Sequence, residues 1–122
     1  FHQKALNIRL ELFGEKHPVV ATTYNSIGSI FYSQKNYEKD LEYHRKALNI
    51  KLEILGKEHS DVALIYSNIG TVYNAQGNHH EAQGNYQKAL NIFSEVLGAK
   101  HPYTIKTQQR INKLTNILNN HE

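Results

Sequence analysis

The chain has 122 residues, with 14 lysines and arginines against 11 aspartates and glutamates, and it contains no cysteine. This composition excludes disulfides and thiolate metal sites, and the net charge of +3 is too small for a dedicated nucleic-acid-binding domain. Because no apolar run approaches the ~20 residues of a membrane-spanning helix, we expect a soluble protein, cytoplasmic by default.

The pentapeptide Lys-Ala-Leu-Asn-Ile occurs three times, beginning at Lys4, Lys46 and Lys88, and each copy follows the last by 42 residues. A fixed period of this kind indicates stacked supersecondary units. Residue 1 already lies inside a repeat, so we expect a fragment of a longer array. The expected organisation is a single array with four parts: 1–14, the second helix of an upstream repeat; 15–56 and 57–98, two full repeats; and 99–122, the first helix of a terminal or capping repeat.

The apolar spacing predicts an all-α chain of six helices and no strand. Gly14 and Gly56 supply left-handed C-caps, Pro18 suits a first helical turn, and Ser60-Asp61 is typical of a helix start. The predicted helices are 1–13, Pro18 to about Gln34, Tyr37 to Leu55, Ser60 to the turn at Gly77-Asn78, His79 to about Leu97, and Pro102 to the polar end at 119–122. The expected buried positions of the last helix are Ile105, Ile111, Leu114 and Leu118.

Two glycines interrupt predicted helices at the same place in the period, Gly28 and Gly70. A glycine inside a helix costs ~1 kcal/mol relative to alanine, so its recurrence indicates a specific use. We expect each glycine to let the paired helix lie close to its backbone, with Ala47 and Ala89 as the small residues opposite.

The apolar and small residues of the period resemble the tetratricopeptide repeat. The 42-residue step, together with Ala-Leu-Asn-Ile, Leu-Gly and the His-Pro pairs at His17 and His101, is similar to the kinesin light chain type of this repeat. The resemblance implies a right-handed superhelical solenoid of helical hairpins that is an interaction scaffold and not an enzyme. The positions that carry it are Tyr24, Ile27, Gly28, Phe31 and Ala47, and then Tyr66, Ile69, Gly70, Tyr73, Ala82, Tyr86 and Ala89.

Four positions depart from the pattern of that family. Asp40 and His44 stand where a small and an aromatic residue are expected. Gln108 and Asn112 replace the tyrosine and glycine of the last helix, which is typical of a capping repeat.

The resemblance also implies a concave groove lined by the first helix of each hairpin. Lys106, Arg110 and Lys113 form one helical stripe there, which is either a solvated face or a site for an acidic ligand. Asn68, Lys106 and Arg110 match three positions of the clamp with which related modules hold the C-terminal carboxylates of heat-shock chaperones, whereas Asn25 and Ser29 do not match it. We expect a protein or peptide ligand, acidic or bound by its C-terminal carboxylate, at Asn25, Ser29, Tyr32, Leu64, Asn68, Thr71, Lys106, Arg110 and Lys113.

No other chemistry is predicted from the sequence. His17, His59 and His101 share one inter-repeat loop, and His79-His80 lack the spacing that puts two ligands on one helix face, so we expect no metal. The sequence contains no phosphate-binding loop or nucleophile elbow, so we expect no cofactor and no catalytic residue. Two alternatives to peptide binding stay open: self-association through the apolar residues Leu6, Ile8 and Leu12 of the N-terminal helix, and nucleic-acid binding by the basic stripe with Tyr32.

Overall fold

Five α-helices form the part of the chain that the computed structural model describes, residues 18–120. Within these residues there is no strand, so the predicted all-α, helical-hairpin fold is confirmed. The expected helix over 1–13, with its candidate association residues, lies outside the described residues. The chain divides into two compact units, 1–56 and 57–122. The helices are α1 Pro18–Ser33, α2 Tyr37–Leu55, α3 Ser60–Ala75, α4 His79–Val96 and α5 Pro102–Asn120.

The first unit contains the hairpin α1–α2, and its turn and cap residues explain where α2 begins and ends. Lys35 adopts a left-handed conformation in the turn, with φ 61°. Asn36 caps α2 by accepting the backbone N–H of Lys39 at 3.4 Å, and Gly56, at φ 82°, ends the helix by donating to the carbonyl of Leu52 at 2.9 Å. A left-handed φ favours glycine, which lacks the Cβ that would clash. The predicted bounds of α2 are confirmed.

An apolar and aromatic interface joins α1 to α2. The rings of Phe31 and Tyr43 stack with centroids 5.7 Å apart, and Tyr24 lies 5.8 Å from Tyr43. The ammonium of Lys46 lies over both tyrosines, at 5.6 Å and 5.1 Å, where the ring faces attract a cation. Burial of each large apolar side chain contributes roughly 1.5–3 kcal/mol. Among residues 18–56 of this unit, the fully or nearly fully buried apolar residues are Val20, Ala21, Tyr24, Ile27, Leu41, Ala47 and Ile50.

Gly28 lies at the closest approach of α1 to α2. A Cβ added there would be 2.6 Å from His44 Nδ1 and 3.3 Å from the carbonyl oxygen of Asp40. The predicted close approach is therefore confirmed, and the groups nearest to Gly28 are not those of the predicted Ala47. The histidine ring and a backbone carbonyl face the glycine, whereas Ala47, which is also buried, follows His44 along α2.

Gly70 makes the equivalent contact in the hairpin α3–α4 of the second unit. Its added Cβ would be 3.0 Å from the Tyr86 ring and 3.2 Å from the carbonyl oxygen of Ala82. Here too the nearest side chain is a ring and not the predicted Ala89, which is buried on the same helix.

The last helix, α5, packs on α4 in a pattern that differs from the predicted one. Ile111 and Leu114 are buried as expected, and they pack in one cluster with Ala82 and Tyr86. Ile105, however, is 46% exposed, and Leu118 is only half-buried. The buried face of the first turns is made by two threonines, Thr104 and Thr107. The hydroxyl of Thr107 donates to the carbonyl of Tyr103 at 2.7 Å, and this hydrogen bond allows the side chain to be buried. A search of the sequence for apolar residues cannot identify a buried face of this kind.

The residue that caps helix α3 was not predicted from the sequence. Its N-cap is His59, whose ring Nδ1 accepts the backbone N–H of Asp61 at 3.0 Å. The predicted start of the helix at Ser60-Asp61 is confirmed, because Ser60 is its first residue, and the cap is the residue before it.

Candidate functional site

Three of the nine predicted groove residues lie on α1 in the first unit. Asn25 is half-buried, and its Oδ1 is buried without a hydrogen-bond partner. Ser29 and Tyr32 are exposed, and the Tyr32 ring meets the edge of Tyr37 at a centroid distance of 5.6 Å. The structure places these three side chains on one helix, and none of them lines either of the two cavities described next.

The other six predicted residues belong to the second unit and line two cavities there. The first cavity has a volume of about 250 Å³ and lies between α3, α4 and α5. Its lining residues are Thr71, Asn74, Tyr86, Arg110, Lys113, Leu114 and Ile117. The second cavity has a volume of about 180 Å³ and is lined by Leu64, Ser67, Asn68, Phe93, Tyr103, Lys106, Thr107 and Arg110.

Arg110 borders both cavities, and two residues hold its guanidinium in place. Its Nη1 donates to the hydroxyl of Ser67 on α3 at 3.0 Å. Its guanidinium carbon lies 5.7 Å from the centroid of the Tyr86 ring, which is within cation–π range. Tyr86 is in turn oriented by Thr71, whose hydroxyl oxygen is 2.8 Å from the tyrosine hydroxyl. Arg110 is therefore fixed by contacts from α3 and α4.

A guanidinium has five N–H donors in a planar fork, and the bond to Ser67 uses one of them. The fork can therefore still donate to an acceptor placed in either cavity. Lys106 lines the second cavity and Lys113 the first, so each cavity has a lysine in addition to Arg110. No aspartate or glutamate is among the lining residues of these two cavities. The arrangement suits an anionic group on the ligand.

Sequence reasoning missed some of the residues that shape this site. Ser67 was not among the nine predicted site residues, although it is buried and holds Arg110. Phe93 and Tyr103, whose rings lie 5.6 Å apart, were not predicted to take part. Tyr86 was identified only as a position of the repeat pattern. The position 42 residues before Tyr86 is His44, and histidine is not one of the rings that usually attract a cation. The change from histidine to tyrosine between the two repeats was the only feature of the sequence that could have indicated a role for Tyr86.

A pair of carboxylates lies elsewhere in the second unit. Glu58 precedes α3 and Glu95 is near the end of α4, and both are exposed. The pKa of Glu58 is raised, first by a side-chain hydrogen bond with Glu95 and then by the negative charge of Glu95.

In residues 18–120 no three histidine, cysteine, aspartate or glutamate side chains come together as a metal site would require. None of the five described helices has the length and apolar character needed to cross a membrane.

The family can be decided by a match over nearly the whole chain. The family model described as tetratricopeptide repeat matches residues 1–60 and again residues 61–120. The chain belongs to the tetratricopeptide repeat family. The resemblance stated from the sequence is thereby confirmed. Tetratricopeptide repeat proteins serve in general as protein–protein interaction scaffolds, and they are generally not enzymes.

Several solved structures have the same fold as this chain. BtubC (BKLC) from P. vanneervenii matches with a TM-score of 0.87 and 24% identity, over 94% of this chain and 46% of that chain. A Podosopora anserina protein named as a putative kinesin light chain with nearly identical TPR-like repeats matches with a TM-score of 0.76 and 16% identity, over 94% of this chain and 55% of that chain. A second crystal structure under the same name, of a form with one substitution, matches with a TM-score of 0.77 and 16% identity, over 94% and 54%.

These likenesses show the fold, and the chain spans about half the length of the structures it matches. Among curated proteins, none matches the sequence.

Proposed function

We propose that the second unit of this chain binds an acidic segment of a partner protein across α3 and α5. The observation that carries the proposal is the placement of Arg110, which Ser67 and Tyr86 hold at the border of two cavities with donors left for a ligand. A side chain that is already held loses less conformational freedom on binding, so more of each contact contributes to affinity.

Charge supports an acidic ligand. Lys106, Arg110 and Lys113 border the cavities, and hydrogen bonds from charged donors to a carboxylate are worth roughly 1.5–3 kcal/mol each. The carboxylate can be a side chain or the C-terminus of the partner. Asn68 and Thr71, also among the lining residues, carry amide and hydroxyl groups that suit the backbone of a peptide.

Size supports a peptide over a small molecule. The volumes of about 250 and 180 Å³ are both below the ~300 Å³ at which small-molecule pockets usually begin. Each cavity can therefore receive one side chain. Leu64, Phe93 and Tyr103 give the second cavity apolar walls, and Leu114 and Ile117 do so in the first. An apolar side chain next to an acidic group is the ligand feature that matches these walls and cations.

The test is a binding assay with an array of immobilised glutamate-rich peptides and the same peptides with every glutamate replaced by glutamine. We expect binding to the acidic set only, and we expect Arg110→Glu to reduce the affinity at least tenfold, the loss of roughly 1.5–3 kcal/mol from one charge-assisted contact. Arg110→Lys should have a smaller effect, because it keeps the charge and loses the fork.

The matched control is Lys100→Glu in the same unit. Lys100 is exposed and lines neither cavity, so its reversal changes the net charge equally without touching the site. Equal losses of affinity for the Arg110 and Lys100 variants would mean that only net charge matters, and would remove the proposed site.

A further inference from the structure

The two cavities of the second unit differ in the hydroxyl groups that can donate to a ligand. In the first cavity, the hydroxyl of Thr71 donates to the backbone carbonyl of Ser67 at 3.1 Å. A hydroxyl has a single hydrogen, so the Tyr86 hydroxyl, 2.8 Å from that of Thr71, must be the donor of the bond between the two. Neither hydroxyl therefore has a hydrogen left for a ligand in the first cavity.

The second cavity keeps one hydroxyl hydrogen for a ligand, that of Ser67. Its oxygen accepts Nη1 of Arg110 at 3.0 Å, and among residues 18–120 no acceptor is recorded for its own hydrogen, although the residue is only 6% exposed. The other hydroxyl of the lining, that of Thr107, already donates to the carbonyl of Tyr103 at 2.7 Å. Because Ser67 accepts from a cation, its O–H is polarised and becomes a stronger donor.

The second cavity offers more donors than one carboxylate can accept. Arg110, Lys106 and the amide of Asn68 line it together with Ser67. The hydrogens of these four groups that are free to donate number roughly ten, whereas a carboxylate has about four acceptor positions. Its single negative charge would also leave one of the two cations uncompensated. A carboxylate therefore matches this cavity only in part.

A phosphomonoester matches the cavity more completely. It carries a charge of about −1.5 to −2 at pH 7 and has three strong acceptor oxygens. The guanidinium fork of Arg110 can bind two of these oxygens side by side, and the ammonium of Lys106 adds a point charge. The apolar walls formed by Leu64, Phe93 and Tyr103 can contact the part of the side chain that carries the phosphate. No aspartate or glutamate lines the cavity to oppose a dianion.

We propose that the second cavity binds a phosphorylated side chain of the partner protein, with the phosphoryl oxygens held by Arg110, Lys106 and the Ser67 hydroxyl. The proposal rests on the peptide binding proposed above and specifies the anionic group of the ligand. Phosphorylation of the partner then strengthens its binding to this unit, because it supplies the second negative charge and the third oxygen that a glutamate lacks.

The test uses the whole chain and the glutamate-rich peptides of the array described above, with one central position made glutamate, serine, phosphoserine or phosphotyrosine. We expect one of the two phosphorylated forms to bind at least about tenfold more tightly than the glutamate form, the effect of roughly one additional charge-assisted hydrogen bond. The two phosphorylated forms distinguish the residue that carries the phosphate. Phosphotyrosine will be preferred if its ring packs on the aromatic walls of the cavity.

The two proposals fail in different ways in this experiment. Glutamate forms that bind as tightly as both phosphorylated forms would overturn the phosphoryl site and leave the acidic-peptide site in place. If neither the glutamate forms nor the phosphorylated forms bound more tightly than the serine form, both proposals would be wrong.

Two variants of α5 locate the preference in one cavity. Lys106→Gln and Lys113→Gln each remove one positive charge from an exposed position of the same helix, but Lys106 lines the second cavity and Lys113 the first. At fixed ionic strength, fluorescence anisotropy should show that Lys106→Gln reduces the affinity ratio of phosphorylated to glutamate peptide by about tenfold. Lys113→Gln should change that ratio by less than about twofold. Equal reductions by the two variants would show that the ratio reflects net charge, and would overturn the assignment to the second cavity.

Discussion

The hairpins α1–α2 and α3–α4 have the same sequence period and the same helix-to-glycine contact, but they satisfy the polar atoms at that contact differently. In the first hairpin His44 faces Gly28, and its Nδ1 donates to the Oδ1 of the buried Asp40. The other ends of this pair, Asp40 Oδ2 and His44 Nε2, are buried without hydrogen-bond partners.

In the second hairpin the positions of Asp40 and His44 are taken by Ala82 and Tyr86. The ring of Tyr86 fills the space in front of Gly70, and its hydroxyl is bonded to Thr71 at the partly exposed edge of the interface. A buried polar atom without a partner costs roughly 1–3 kcal/mol, and the second hairpin has none at this contact among those recorded. The same helix-to-glycine contact is therefore made with the ionisable pair Asp40 and His44 in one hairpin and with Tyr86 in the other. In the first hairpin, loss of either member of the pair leaves the other buried without its partner.

The largest expected effect is the difference between His44→Phe and Tyr86→Phe. His44→Phe keeps a ring against Gly28 but leaves the carboxyl of Asp40 buried without a partner, which typically costs about 3–5 kcal/mol. Tyr86→Phe removes one hydroxyl that bonds Thr71, which costs about 0.5–1.5 kcal/mol. Urea unfolding measures both.

A double variant sharpens this comparison. Asp40→Ala added to His44→Phe reproduces the residue types of the second hairpin without the hydroxyl, so it should recover most of the lost stability. Failure to recover would show that the volume of the ring, and not the unpaired carboxyl, causes the loss.

The next effect concerns the glycines themselves. Gly28→Ala brings a Cβ to 2.6 Å from a histidine ring that is buried and held by Asp40, so overpacking of about 1–3 kcal/mol is expected. Gly70→Ala brings its Cβ to 3.0 Å from the Tyr86 ring, which needs to move only a few tenths of an ångström. The helix propensity of alanine, worth up to ~1 kcal/mol, offsets much of that cost. Thermal unfolding should place Gly28→Ala well below Gly70→Ala, and equal melting temperatures would contradict the distinction.

The smallest effect is in the hairpin turns. Lys35 has φ 61°, and the residue 42 positions later, Gly77, has φ 80°. Lys35→Gly removes the steric cost of a side chain in the left-handed region but adds chain entropy to the unfolded state, so we expect a gain below about 1 kcal/mol. Gly77→Lys is the reciprocal variant and should lose a similar amount. A loss from both substitutions would show that the turns are not equivalent.

Local signals decided most of what the sequence predicted correctly. Helix α2 could be placed closely because a turn precedes it and Gly56, which has a left-handed φ, ends it. The placement of Lys106, Arg110 and Lys113 on one helix, α5, also followed from their spacing. These features depend on neighbouring residues along the chain, which a sequence records directly.

Contacts between helices could not be predicted in the same way. The partners of Gly28 and Gly70 depend on how two helices pack, and spacing within one helix does not contain that information. Ile105 was expected inside because it is apolar, yet Thr104 and Thr107 occupy the buried face. The bond between Ser67 and Arg110 joins residues 43 positions apart, and nothing local to either residue indicates it.

Arg110 has one further consequence, because a single guanidinium borders both cavities. If the second unit binds a peptide as proposed, a group bound in one cavity would take up donors of Arg110 or shift its planar fork, and would so change the donors that the other cavity presents. Two short segments of a partner, one in each cavity, would then bind with coupled affinities, and thermodynamic linkage makes that coupling equal in both directions. The binding free energy of a ligand that occupies both cavities would therefore differ from the sum of the binding free energies of its two segments. The difference is an interaction free energy that comes from Arg110.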